Sequence, residues 1–575
     1  MDGPYDKLPL VNTPSPALVS QHAVRRLPRW ALICLCVTYV IFGLVGHNPW
    51  KPLDAASFGY MWSLTQGQSS FFNLEIASLA PELDAYLPYW LGFAGIEIFR
   101  NMLSADMAAR VPFALLSLMS MICTWQAIYY LARNPHAQPV AFAFGGEAKP
   151  KDYARSLADA GLLAYLACLG LALPSHELSP LAIQLDSMSI VFVGASMQAF
   201  YPSRGLMVWS LGLLMLNLSG APTLSVVTGL ASVLLWIKHP QSRRIEIFLM
   251  VLLILSLIGL SSVMDLWRWR LMPWDELTQS LGEIGELWIW FLWPAWPLAL
   301  WTLWRWRGHW QQQIWSQHLI LPLVLFSICA IASVFTHDPD RTLLLTLPTI
   351  AALAAFALPT LERSVSALID WFTLLFFSGG AVAIWGVWIS LETGIPAQPA
   401  LNVQRLVPGY IHQFQILGFF IALAATVIWI KLIVWRIGRH PAVIWKSLVL
   451  PATGATLCWV LLMTLWLPIL DRALSYKPWA AQIAKSIPAS SCIYAYGLDR
   501  SEIAGLTYHG SFDFRAYTKV EDQFACDWLF IRSHDGVALQ KVDVQKWTFM
   551  ERSKRPSDKS EEILIYKHQV KSADE

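Results

Sequence analysis

Apolar residues in this chain do not recur at the three-and-four spacing of a half-buried helix; they continue in long runs separated by short polar stretches. Thirteen such runs fall at approximately 30–46, 111–132, 157–174, 186–200, 205–218, 222–237, 245–263, 287–304, 318–335, 342–358, 367–390, 415–431 and 447–468. Crossing a hydrocarbon core takes roughly 17–25 apolar residues in a helix, so the longer runs predict membrane spans and the shorter ones are candidates. Residues 47–110, between the first two runs, hold a further apolar stretch, "LDAYLPYWLGFAGIEIF". Making it a span would invert every later loop, so it is read as a helix lying at the interface, where Tyr and Trp are favoured. From about Leu470 the pattern changes. Short alternating runs "CIYAYGL", "CDWLFIR", "WTFMERS" and "EILIYKH" predict strands, with "KPWAAQIAKSI" and "DRSEIAGLTYH" as helices. The expected architecture is an all-α polytopic membrane bundle of about 13 transmembrane helices at 30–470, with a tail at 1–29 and a small α/β domain at 471–575.

Composition agrees. Of the 575 residues 56% are hydrophobic and 14% charged, where a soluble chain would carry about a quarter charged. A net charge of +2 gives no reason to expect nucleic acid as a partner. With the N-terminus inside, the inner loops hold fifteen Lys and Arg, and the short outer loops between spans hold four, Arg268, Arg270, Arg341 and Arg405. That bias predicts a cytoplasmic N-terminus and a periplasmic C-terminal domain. The basic cluster Arg25, Arg26 and Arg29 precedes the run from Trp30 to Val45, which leads into "GHNPWK" without a small-residue cleavage site, so it reads as an uncleaved first span. Six of the eight Cys lie in spans; only Cys492 and Cys526 belong to the exported domain. A disulfide between them is a candidate in an oxidising compartment, although spacing alone does not show that their Cβ atoms face each other.

Ionisable groups at membrane depth are costly and usually line a cavity or mark function. The outer face gathers Asp54, Glu82 and Asp84 from the first loop, His176, Glu177 and Asp186 after the third run, and the "THDPDR" loop with Arg341. An acid such as Asp54, in "HNPWKPLDAASFGYMW", can take a proton from an acceptor hydroxyl, or it can cap the helix that follows. Asp186, in "IQLDSMSIVF", heads a span, either as its N-cap or with a role in the outer cleft. His176 and Glu177 have metal-ligand chemistry but no third ligand at a recognisable spacing, so a polar loop is the alternative. The Arg341 fork can hold a phosphate or pair with Asp338 or Asp340. No phosphate-binding loop, dinucleotide fingerprint or HExxH pattern is present. No cofactor is specified, and a divalent cation stays open.

The succession "WKPLDAASFGY", "LPYWLGFAGIEIF", "MAARVPFALLSL" and "YYLAR", followed by "LDSMSIVF", "NLSGAPTL" and "DRTLLLTLPTIAAL", resembles the polyprenyl-phosphate-dependent glycosyltransferases of the GT-C superfamily. The likeness is to the lipid A aminoarabinose transferase and protein mannosyltransferase group, and covers the chain to about residue 470. It implies a bacterial inner-membrane enzyme that moves a sugar from a polyprenyl-phosphate-linked donor to a lipid, glycan or protein acceptor on the periplasmic side. A first-loop acid would be the base and basic groups would bind the phosphate. On that pattern Asp54 is the candidate catalytic residue, with Glu82, Asp84, His176, Glu177, Asp186 and Arg341 as substrate-binding candidates. The chain departs from the pattern where Leu53-Asp54 replaces adjacent acids, and where "PELDAYLPYW" and "LSGAP" lack Lys. Those losses leave open a catalytically degenerate relative that binds lipid-linked glycan or scaffolds envelope proteins. A secondary transporter would show internal repeats, and none is visible.

Overall fold

The computed structural model describes residues 15–267, 272–438, 443–516, 526–533 and 546–568; Arg268 and Arg270 lie outside them. Each of the thirteen apolar windows falls on helix, but their lengths differ. Among the described residues eight helices are long and apolar enough to cross a membrane, and a ninth crossing is added if the pair Pro150–Ala167 and Leu169–His176, bent by 65°, forms one span. The remaining windows fall on Arg29–Leu44, Pro202–Leu218 and Pro222–Ile237, of 16, 17 and 16 residues, and on the broken pair Trp274–Phe291 and Ala295–Arg305.

The first six helices build the frame of interest: α1 (Arg29–Leu44), α2 (Leu53–Thr65), α3 (Leu87–Phe99), α4 (Ala105–Ala132), α5 (Pro150–Ala167) and α6 (Pro180–Met197). Helix α6 is buried along its whole length and forms the centre of the bundle. Its neighbour Pro202–Leu218 packs backbone to backbone on it. A Cβ on Gly194 would fall 2.4 Å from the Trp209 amide nitrogen, the small-residue contact that lets helices associate in lipid.

The C-terminal domain is a five-stranded sheet, β1 (Cys492–Tyr496), β2 (Asp513–Ala516), β3 (Trp528–Arg532), β4 (Trp547–Arg555) and β5 (Asp558–His568), in the order β2-β1-β3-β5-β4. Strand β1 runs parallel to β2 and β3, while β5 pairs antiparallel with β3 and β4. The helix Arg500–Gly510 makes the crossover from β1 to β2, and Asp499 with Glu502 closes a capping box at its start. Cys492 and Cys526 are joined as a disulfide. Among the described residues only β2, four residues long, goes beyond the strands expected from the pattern.

This domain sits on the first loop. Phe58 and Met61 of α2 and Tyr89 of α3 share one apolar core with Trp479, Ile503 and Phe530, so α2 is an internal strut. Trp50 bridges to Ser475, Lys51 pairs with Asp558 and, at 2.9 Å, with Glu561, and Arg500 reaches Glu82 at 3.4 Å. The opposite end of the bundle holds the N-terminal segment, where Ser20 bridges to Glu147 and the Ile444 amide donates to the Ala23 carbonyl.

Candidate active site

Where α2 begins, the chain turns from α1 through "HNPWKPLD", and this turn is fixed by three charged groups. Asp471 accepts from the Asn48 amide and side chain at 2.8 and 2.6 Å and from the Trp50 indole at 3.0 Å. Asp54 is not the N-cap, a place taken by Pro52; it lies in the first turn of α2. One of its oxygens accepts from the Trp50 amide at 2.8 Å and from Arg110 at 3.0 Å, and the other accepts from the Leu178 amide at 2.9 Å. Arg110, on α4, also donates to the Asn48 carbonyl at 3.3 Å and lies 3.1 Å from His47 Nε2. Asp54 and Arg110 are 3% and 2% exposed. Buried and enclosed by these three donors, the Asp54 carboxylate is closed to an acceptor hydroxyl in this arrangement.

Beside it a cavity of about 500 Å³ opens, walled by the first loop, α6, the turn before Pro222–Ile237 and the "THDPDR" loop. Glu82, Asp84 and Asp338 bring carboxylates to it, His337 an imidazole, and Gln184 and Thr223 neutral polar groups. Leu53, Leu181, Leu224, Leu266, Trp267 and Phe335 form its apolar side. The turn "LSGAP" is required here: Gly220 has φ +83, and a Cβ there would lie 3.2 Å from the Asp84 carbonyl oxygen, a conformation and an approach suited to glycine.

Behind this wall Arg341 is spent on carboxylates. Its Nε and Nη2 donate to the two oxygens of Glu177 at 2.9 and 2.8 Å, and Nη1 donates to Asp340 at 3.3 Å. Asp338, which lines the cavity, is 3.8 Å from the same guanidinium. The pairing of Arg341 therefore goes chiefly to Glu177, a partner 164 residues away that local spacing did not suggest.

Two sequence candidates lie apart from the cavity. Asp186 does not head its helix: Ser179 caps α6, its side chain accepting from the Ala182 amide, and Pro180 opens it. The apolar run marked the boundary six residues late because the cap, not the first apolar residue, starts a helix. Asp186 is 2% exposed inside the bundle. His176 points away from Glu177. Its ring nitrogens face the carbonyls of Ala172 and, at 3.1 Å, Tyr39, and the ring stacks on Trp459 at 5.0 Å. The two side chains thus share no metal position. Among the described residues no three His, Cys, Asp or Glu are grouped to hold a metal ion.

Arg110, His47 and Asp471 were missed. A cation in an otherwise apolar helix start must be paired, and Arg110 in "MAARVPF" carried that signal.

The whole fold, including the position of the C-terminal domain, has counterparts among solved structures. ArnT from Cupriavidus metallidurans bound to undecaprenyl phosphate aligns with a TM-score of 0.58 at 14% identity, covering 95% of this chain and 98% of that one. The same protein in the apo state aligns at 0.57 and 14%, covering 94% and 97%. The chain has the fold of ArnT. Agreement over nearly the full length of both chains includes the membrane bundle and the sheet domain. No protein-family model matches the sequence, and no curated protein does either. At 14% identity the likeness to ArnT is one of fold.

Proposed function

We propose that the protein is a glycosyltransferase of the bacterial inner membrane that moves a sugar from a polyprenyl-phosphate-linked donor to an envelope acceptor on the periplasmic side. The observation that carries this reading is an amphiphilic cavity, acids on one wall and apolar side chains on the other, in a fold shared end to end with a protein that binds undecaprenyl phosphate. A lipid-linked sugar needs both walls. In the reaction the acceptor hydroxyl attacks the anomeric carbon, the bond from that carbon to the phosphate oxygen breaks, and the lipid phosphate leaves. The acceptor proton passes to a carboxylate on the cavity wall, Glu82 or Asp84. Asp54, enclosed by its donors, is assigned the positioning of Arg110 and of the α2 start in place of the base role expected from its first-loop position. Arg341 exchanges part of its carboxylate contact for the lipid phosphate, a charge-assisted exchange its fork allows.

A second reading rests on a specific observation. Among the described residues that line the cavity there is no Lys or Arg, and Arg110 and Arg341 are already bound to carboxylates. That arrangement suits a relative that holds lipid-linked glycan without turning it over. Incubating the purified protein with undecaprenyl-phosphate sugars and an envelope extract, and measuring undecaprenyl phosphate released, separates the two. Release that falls in Glu82→Gln or Asp84→Asn supports transfer; retention of the donor lipid without release for every sugar tried supports binding alone.

A further inference from the structure

A second cavity lies at the other end of the bundle, among α1, α4 and α5, and has no part in the reading above. It measures about 550 Å³, within the range of about 300–1,000 Å³ usual for ligand clefts. Its walls are apolar, with Leu32, Cys36, Leu118, Met121 and Leu162 inside and Ile33 and Ile122 on the rim. The rim residues are 60% and 51% exposed on the surface that faces the bilayer. A groove of this kind, open sideways, is reached from lipid and not from water.

Its polar end is cationic. Arg26, Arg29 and Arg155 stand there with one lining carboxylate, Asp159. Asp159 is turned to the protein, accepting from the Trp125 indole at 2.8 Å and the Leu27 amide at 3.3 Å. Arg26 and Arg155 share a single further carboxylate, Asp152, at 3.4 and 3.9 Å. Arg29, exposed at this end, acts on Asp159 through charge alone, so three cations face two carboxylates. Trp30, 72% exposed, follows Arg29 and marks the depth of the interface, which sets the arginines at headgroup level. Basic pockets between helices at that level are suited to anionic head groups.

We infer that this groove is a binding site for one anionic phospholipid, its phosphate on Arg29 with Arg155 and Arg26 beside it and an acyl chain along α1 and α4. The apolar length of the groove is what selects a lipid over a free phosphate.

The test is native mass spectrometry of the full chain in detergent, titrated with phosphatidylglycerol or phosphatidylethanolamine of the same acyl chains. The expected result is one tightly retained phosphatidylglycerol, at least fivefold preferred. Arg29→Gln should bring it to the phosphatidylethanolamine level, and Ile122→Trp, which fills the groove from its lipid-facing side, should reduce retention of both lipids. Both positions are exposed, so the variants are expected to keep the wild-type melting midpoint. Equal retention of the two lipids, a preference unchanged in both variants, or displacement by the same concentration of sn-glycerol 1-phosphate would each overturn the assignment.

Discussion

Asp54→Asn is the substitution that separates a positioning role from a catalytic one. The carboxylate takes three donors, two backbone amides and the Arg110 guanidinium, at 2.8 to 3.0 Å, with both partners of the ion pair almost wholly buried. Asparagine offers one acceptor oxygen and turns an NH₂ group toward either an N–H or a guanidinium. It also leaves Arg110, whose Nε has no partner among the described residues, as an uncompensated buried charge. Breaking a buried pair from one side costs about 3–5 kcal/mol. Arg110→Gln should cost a similar amount, since it strands Asp54. The double variant Asp54→Asn/Arg110→Gln removes both charges and lets two amides meet, so its loss should fall short of the sum by about 2 kcal/mol or more, in the manner of a coupled pair. The assay is the unfolding midpoint in detergent for the four proteins, with lipid-phosphate release measured on each. Recovery of stability together with part of the transfer activity in the double variant is expected. Single variants that melt like wild type, with a double variant devoid of transfer, would refute the positioning argument and return Asp54 to the role of base.

Other expectations can be checked separately. Glu177→Gln should free Arg341 from its bidentate partner and raise affinity for undecaprenyl phosphate several-fold, measured by lipid titration, whereas Arg341→Lys, without the fork, should weaken it. Replacing Cys492 and Cys526 together by Ser opens a loop of 34 residues and should destabilise the sheet domain by roughly 3–4 kcal/mol on the chain-entropy account, read as a lower midpoint that added reductant does not shift further. Burial pushes the Glu502 carboxyl up to about 7. Its folded value exceeds the unfolded one, so the stability tied to the protonated form is present below about pH 4.5 and is lost as pH rises through about 7. Glu502→Gln, which keeps the capping contact, should remove that loss, worth roughly 3 kcal/mol at pH 8, and leave a flatter midpoint-against-pH curve; an unchanged curve would contradict it.

Much of the fold was legible because lipid imposes a simple rule: every backbone group must be satisfied within the span, and long apolar runs follow. The runs found the helices, and alternation found four of the five strands. Strand β2, with a single buried residue, Phe514, carries too little alternation to be seen alone. The site was legible only in part. Glu82, Asp84 and the "THDPDR" loop, read from charge as sharing one side of the membrane, line one cavity. Which acids face the cavity was not readable. Asp54 and Glu177 are turned into ion pairs with Arg110 and Arg341, 56 and 164 residues distant, and His176 and Asp186 are turned into the bundle. Such choices are made by packing between distant helices, which no local spacing encodes.

The central claim is that the cavity between the first loop and the "THDPDR" loop receives the lipid-linked donor. A cryo-electron microscopy map of the protein with undecaprenyl phosphate added tests it most directly. The account predicts head-group density inside this cavity, with Arg341 drawn from Glu177 toward the phosphate and the prenyl chain along the Leu181 and Leu224 wall. Head-group density confined to the groove among α1, α4 and α5, with the Arg341–Glu177 pair intact and the first cavity empty, would contradict it.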